Sequence, residues 1–256
     1  MFTKAIVRIP AATFAEGLTT VDMGVPDYNK TLEQHRRYCE ALEQCGLVLT
    51  HLDADVDHPD STFVEDVAIL TEHGAILTLP GADSRAGEVQ NIKKPLAQFY
   101  AEWAEIRPPG TLDGGDICEA GNHFIIGISL RTNQDGGNQL AHWLSARGYT
   151  SDFVDIRGVP GILHLKSGIS YIGDNRMVVI DSLADHPAFK RFELVRVEPR
   201  EDYAANCVRV NDHVLMASGF PVLQKSLENL GYSIIPLDMS EYQKMDGGLS
   251  CLSLRF

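Results

Sequence analysis

Residues 64–81 read VEDVAILTEHGAILTLPG. Two apolar runs flank Glu72-His73-Gly74, and a short turn ending in glycine between apolar runs predicts a β-hairpin. A helical pattern follows over about 87–102, and the extended AEIR after it closes a unit of strand, turn, strand, helix and strand. The same order returns three times. GGDICEAGNHFIIGISL (114–130) turns at Gly121-Asn122 and is followed by a helix over about 133–147 and the extended FVDI. SGISYIGDNRMVVID (167–181) turns at Asp174-Asn175, then has a shorter helical segment and FELVRV. NCVRVNDHVLMASG (206–219) turns at Asn211-Asp212, then has the helix PVLQKSLENLGY and SIIPLD. Glycine, asparagine and aspartate are the residues that tolerate the positive φ of tight hairpins.

The chain ends supply a fifth unit. TKAIVRI is an initial strand, with a helix over about 29–45 and the strand LVLTHL after it, and SCLSLRF is a terminal strand. If the last strand pairs with the first, five ββαβ modules close into a ring with no long open edge, which favours closure. The expectation is a five-module α/β ring occupying residues 1–256 as one domain, with an open mixed α/β sheet as the alternative.

Bulk composition narrows the function. The chain carries 22 Lys+Arg against 35 Asp+Glu, a net charge of −13. That balance argues against nucleic acid, whose phosphates need a basic face, and suits a small cationic ligand through long-range steering. No apolar run approaches the length of a membrane span, and the N-terminus lacks the apolar core of a signal peptide, so a cytoplasmic location is expected. Cys39, Cys45, Cys118, Cys207 and Cys251 form no CxxC pair, and the nine histidines show no HExxH. Neither a disulfide framework nor a zinc cluster is indicated. No P-loop or dinucleotide fingerprint is present.

Aligned on their first strands, the units open with Glu65-Asp66, with Asp113 and Asp116, with His164, with Asn206-Cys207 and with Cys251. In a ring those starts converge on the axis and share a central cavity. A thiol becomes a nucleophile as thiolate, which an imidazole favours. An oxyanion intermediate wants N–H donors, whereas these companions are carboxylates, which grip a planar guanidinium. The chemistry that uses every group is thiolate attack on a guanidinium carbon with proton delivery to the departing amine. Carboxylates also raise a free thiol's pKa, so the substrate's own charge is expected to help form the thiolate. Cys207 is read as a packing residue, Cys39, Cys45 and Cys118 as core or partly exposed, and Asp116 as structural, holding backbone N–H groups near Gly114-Gly115. The irregular segment 13–26 is read as a lid or a long loop.

The motifs PDSTFVEDVAIL, TLDGGDI, LRTNQDGG, LHLKSG, YAANCV and DGGLSC resemble the dimethylargininase (dimethylarginine dimethylaminohydrolase) family of guanidino-modifying enzymes, in that family's order and across nearly the whole chain. The resemblance implies a five-bladed α/β propeller (pentein) with pseudo-fivefold symmetry. It also implies hydrolysis of Nω-methylated L-arginine to L-citrulline and a methylamine, with no cofactor and no metal. Cys251 would be the nucleophile, forming a covalent thiouronium; His164 the general acid and then base; and Asp113 the partner of His164. Asp66, supported by Glu65, would hold the guanidinium, Arg85 and Arg131 the α-carboxylate, and the Leu18 backbone with Asp60 the α-amine. Asp246 would complete the substrate surface. Deiminases and amidinotransferases carry His-x-Asp where this chain reads His164-Leu165-Lys166, and the missing carboxylate suits a methylated nitrogen. The alternative is a deiminase-like cysteine hydrolase acting on unmethylated arginine or a related guanidino or ureido compound. The expected partner is a small cationic amino acid, with no nucleic acid and no membrane; a homodimer is compatible with the sequence.

Overall fold

The computed structural model describes all 256 residues. It contains five sheets of three strands each. The first module joins the chain ends: Lys4–Arg8 (β1) runs parallel to Val48–Leu52 (β2) through the helix Tyr28–Gln44 (α1), and antiparallel to the terminal strand Leu254–Arg255. The Asp27 side chain caps α1 by accepting from Lys30 N. The second module is Ala68–Thr71 (β3), Gly74–Leu77 (β4), the helix Glu88–Leu96 (α2) and Trp103–Glu105 (β5). The third is Ile117–Ala120 (β6), His123–Ile128 (β7), Gln134–Ser145 (α3) and Thr150–Asp155 (β8). Ile169–Tyr171 (β9), Arg176–Ile180 (β10) and Glu193–Val197 (β11) make the fourth, where a 3₁₀ turn at Pro187–Phe189 replaces the helix. Val208–Val210 (β12), His213–Ala217 (β13), Pro221–Asn229 (α4) and Ser233–Leu237 (β14) make the fifth. Leu254–Arg255 is thus β15. In every module the hairpin is antiparallel and the helical connection returns a parallel strand.

The turns are as the sequence reads. Gly74, Gly121, Asp174, Asn175 and Asn211 have positive φ, the left-handed region that short hairpins use and that glycine, asparagine and aspartate tolerate. The terminal strand is shorter than expected, because Ser250–Leu252 forms a 3₁₀ turn instead.

Alternation along the strands explains why the modules form a ring. Side chains of period two point to opposite faces, and each face packs against a different neighbour. Ala5 and Val7 join the core shared with the fifth module, beside Val208, Val210 and Leu215. Ile6 joins the core shared with the second, beside Ala68, Ala75 and Leu77. Ile69 and Ile76 face the third module, beside Phe124 and Ile126. Cys118, Ala120 and Ile125 face the fourth, whose core continues to Cys207, Val214 and Met216 of the fifth. The apolar core therefore lies between modules around the whole circle.

Polar joints close the ring at its centre. A 3₁₀ turn precedes the first strand of every module, at 64–67, 114–116, 165–167, 199–205 and 250–252. Asp66 Oδ1 accepts from Gly115 N (2.8 Å), and Asp116 Oδ1 from Leu165 N (2.9 Å). Ser170 Oγ donates to Ala205 O and accepts from Cys207 N. Asn206 Oδ1 accepts from Ser250 N (2.9 Å), and Ser250 Oγ donates to Glu65 Oε2 (2.8 Å). Each buried acceptor thus satisfies a donor of a neighbouring module, as buried polar groups must. Asp116 differs from its expected role: it holds the backbone of the fourth module, and the Gly115 N–H belongs to Asp66.

Candidate active site

The turns carry the reactive side chains to the axis because each stands at the entry of an inner strand. A tight cavity of about 30 Å³ is walled by Asp66 and Asp113 from the second and third modules, His164 from the fourth and Cys251 from the turn before β15. Leu18, Asp60, Arg85, Arg131 and Asp246 complete the predicted set on its wall. Two of the predicted convergences do not occur. Asn206 and Cys207 stay out of this wall; Asn206 binds Ser250 and Lys166 O. Glu65, expected beside Asp66, turns to a second and larger axial cavity of about 560 Å³. There its carboxylate meets Lys166 Nζ (2.6 Å), Ser250 Oγ and Arg255 Nη2 (3.4 Å). Lys166 lines that cavity too, so position 166 does not border the tight one.

His164 Nε2 lies 3.0 Å from Asp113 Oδ2, and Asp113 Oδ1 accepts from Gly81 N. The ring packs against Gly115, where a Cβ would come within 2.8 Å of the imidazole and 2.9 Å of Asp66 Oδ1; only glycine fits. Burial disfavours the charged imidazole, yet the Asp66 charge, the Asp113 hydrogen bond and the Asp116 and Asp113 charges outweigh it and raise His164 to about 9. It rests as imidazolium at neutral pH.

Cys251 is the one partly exposed cysteine; the other four are buried. Burial, then the charges of Glu65 and Asp66, push its thiol up to about 12. The resting site therefore holds a neutral thiol beside an imidazolium, two protons between them. The ligating atoms of Asp66, Asp113 and His164 lie within 4.8 Å of one another. Here the imidazole is engaged by Asp113, so the trio stands as a hydrogen-bonded acid and its anions.

The two arginines differ. Arg85 is buried and committed: Nε and Nη2 fork onto Glu88 (3.0 and 2.7 Å), Nη2 also donates to Phe63 O (3.1 Å), and Nη1 pairs with Asp66. With four of its five N–H groups engaged, it mainly holds Asp66 in place. Arg131 is half-buried on the wall. Its backbone N–H donates to Ser129 Oγ, and its guanidinium makes no ion pair or hydrogen bond within the protein. Asp60 accepts the Leu18 N–H on both oxygens (3.1 and 3.2 Å). Asp246, at positive φ, accepts from Thr20 N and from the Thr20 hydroxyl. These bonds tie segment 13–26 across the cavity.

Sequence reasoning missed the apolar part of the wall, Phe63, Leu163 and Met245. Each lies within three positions of a charged site residue, and that adjacency is the only signal they carried. It also missed Glu88, which is legible only through its bidentate grip on Arg85.

No family model matches the chain. The chain is 42% identical to the N(G),N(G)-dimethylarginine dimethylaminohydrolase of Pseudomonas aeruginosa, over the full length of both. It is 35% identical to the enzyme of that name from Streptomyces coelicolor, covering 98% of this chain and 96% of the other. Among solved structures it matches a cysteine-to-serine variant of the Pseudomonas aeruginosa enzyme complexed with citrulline, with a TM-score of 0.97 at 41% identity over the whole of both chains. The N-terminal domain of the arginine dihydrolase ArgZ shares the fold, with a TM-score of 0.90 at 17% identity, covering 100% of this chain and 97% of that domain.

Proposed function

Since the chain belongs to the dimethylarginine dimethylaminohydrolase family, we propose that it hydrolyses Nω-methylated L-arginine to L-citrulline and methylamine or dimethylamine through a covalent Cys251 intermediate. The observation that carries this reading is one cavity holding a thiol, an imidazolium, a fixed carboxylate and an unpaired guanidinium. Asp66, clamped by Arg85 and Gly115 N, is placed to hold the substrate guanidinium. Arg131 is free to take the α-carboxylate, and Asp60 with the Leu18 backbone the α-amine. Phe63, Leu163 and Met245 give the N-methyl groups apolar contacts. Lys166 borders the other cavity, so this apolar lining is the feature of the wall that suits a methylated nitrogen. Leu18 and Thr20 tie segment 13–26 across the tight cavity through Asp60 and Asp246, so that segment is the part of the wall that would yield to an entering amino acid.

The chemistry follows from counting protons. The guanidinium cation offsets the Asp66 and Glu65 charges that hold the Cys251 proton, so its arrival favours the thiolate. The thiolate attacks the guanidinium carbon. The imidazolium of His164 protonates the departing amine nitrogen, the C–N bond breaks, and an S-alkylthiouronium remains. Neutral His164 then takes a proton from water, hydroxide adds to the same carbon, and the C–S bond breaks to restore the thiolate; the remaining hydroxyl proton passes to solvent, which protonates the departed amine, and citrulline leaves.

The reacting enzyme thus carries one proton across Cys251 and His164, whereas the resting enzyme below about pH 9 carries two. Accordingly kcat/KM rises with pH, about tenfold per unit, and levels near pH 9. A profile flat from pH 6 to 9 overturns the assignment of the two groups. Product analysis tests the reaction itself: asymmetric dimethylarginine gives citrulline and dimethylamine. Ammonia from arginine outpacing dimethylamine selects the deiminase-like alternative, and no citrulline at high enzyme concentration selects a binding protein without turnover.

A further inference from the structure

The fully buried Asp116 takes no part in the chemistry above, yet both of its oxygens accept hydrogen bonds from segments that carry site residues. Oδ1 accepts from Leu165 N (2.9 Å), the residue after His164. Oδ2 accepts from Ser129 Oγ (2.6 Å). Ser129 Oγ in turn accepts from Arg131 N (2.9 Å) and Thr132 N (3.0 Å), and Thr132 Oγ1 accepts from Asp113 N (3.0 Å). Five bonds therefore link the segments of His164, Arg131 and Asp113 to one carboxylate. The approach is close: a Cβ on Gly127 would come within 2.8 Å of Leu165 Cβ and 3.2 Å of Asp116. Burial pushes the Asp116 carboxyl up, and the His164 charge with the hydrogen bonds from Ser129, Thr132 and Leu165 N opposes that; donors on both oxygens suit the ionised carboxylate, an acceptor only.

The geometry points to Asp116 as a positioning residue that aligns the acid–base imidazole with the arginine that takes the substrate carboxylate. The inference rests on the proposed reaction for its kinetic consequences and on the resting structure for its titration. Substrate seated on Arg131 and the proton donor on His164 share one anchor, so the carboxylate end of the ligand is held in register with the reacting carbon, and misplacement at such a distance is costly in rate. Asp116 also supports the imidazolium by its charge. From the elements packed around it His164 faces Asp66, Asp113 and Asp116. Asp60, Arg85, Arg131, Asp246 and Cys251 are the other ionisable groups on the cavity wall, and the test alters none of them.

Two variants separate charge from tether. Asp116→Asn removes the charge and one acceptor, so the His164 titration, read by NMR on unliganded protein, moves down by roughly one pH unit. The rising limb of kcat/KM moves to lower pH by the same amount, with a rise in KM. Ser129→Ala keeps the charge and cuts the link to Arg131: KM for asymmetric dimethylarginine rises about tenfold and the His164 titration stays in place. Ser129→Thr, which retains the hydroxyl, restores KM. Folded Asp116→Asn with an unmoved His164 titration overturns the inference, as does Ser129→Ala with a wild-type KM; if Asp116→Asn does not fold, the Ser129 pair decides. A wild-type enzyme without turnover refutes the proposed reaction instead, and the NMR titration still stands as the test of Asp116.

Discussion

The two cavities on the axis of the ring share a boundary, yet residues of opposite kinds wall them. The larger, about 560 Å³, is lined by the inner strands of all five modules, among them Ala68–Leu70, Ile117 and Val208. Its charged groups include the Glu65–Lys166–Arg255 cluster, each with its partner in place. The smaller, about 30 Å³, is lined by the turns that precede those strands. Its charges are offered or held in tension: a thiol pushed up, an imidazole pushed up, an arginine without a partner. Volume alone selects the cavity that lacks Cys251 and His164. Perturbed titratable groups of different classes in one hollow are the better guide.

Two cysteines test that contrast most sharply, because Cys251 and Cys207 stand at equivalent strand entries of neighbouring modules. Cys251 lines the tight cavity and Cys207 the large one. Cys251→Ala is expected to lower kcat by at least ~10⁴-fold with the fold retained. Cys207→Ala leaves kcat near wild type and costs about 1 kcal/mol of stability for the buried sulfur. Iodoacetamide labels Cys251 first, and a guanidino analogue protects it. Equal labelling of both, or loss of turnover in Cys207→Ala with the fold intact, removes the distinction between the cavities.

Much of this was legible in the sequence because two signals are local. Turn residues at Glu72-His73-Gly74, Gly121-Asn122, Asp174-Asn175 and Asn211-Asp212 mark hairpins through their tolerance of positive φ, and strand alternation marks both packing faces. The recurrence of that unit, with strands at both chain ends, sufficed for the ring. What stayed hidden depends on the direction of a side chain within a turn. Glu65 and Asp66 are adjacent, yet they serve different cavities, since neighbouring residues of a 3₁₀ turn point about a third of a turn apart. Lys166, two residues beyond His164, is turned away for the same reason. Arg85 and Arg131 looked alike as isolated basic residues. Only the fork onto Glu88 shows that one is a brace and the other an open hand.

Asp66 sharpens the comparison on the side of the tight cavity. It accepts from Arg85 and Gly115 N and is ordered before any ligand arrives, so it is a preorganised anion facing a cation. Arg85 first, then His164 and the hydrogen bonds hold its carboxyl below the usual range against the cost of burial. Asp66→Asn is expected to lower kcat/KM by about 10²–10³-fold. It also drops the His164 pKa, because the Asp66 charge is the leading support of the imidazolium. Wild-type kinetics in a folded Asp66→Asn would move the guanidinium clamp to another residue. Arg131→Ala acts on binding at the far end of the ligand: losing a charge-assisted pair raises KM by about 10–100-fold, while kcat changes less. A kcat loss as large as the KM rise would place Arg131 at the reacting centre.

The smallest effect belongs to the boundary between the cavities. Glu65 is the leading charge that raises the Cys251 thiol, and Lys166 counters it. Glu65 therefore belongs to the large cavity by contact and to the small one by field. Lys166→Met deletes the counter-charge and leaves Arg255, at 3.4 Å, as the remaining cation on Glu65. The thiol becomes harder to ionise, and kcat/KM falls by about threefold to tenfold, the scale of one partly screened charge across a few ångströms. KM stays the same, because Arg131 lines the tight cavity and Lys166 does not. Replacing both partners, Glu65→Gln with Lys166→Met, removes the two opposing charges together and returns kcat/KM toward wild type. If the double variant is as impaired as the single one, the two cavities are joined by packing and not by charge.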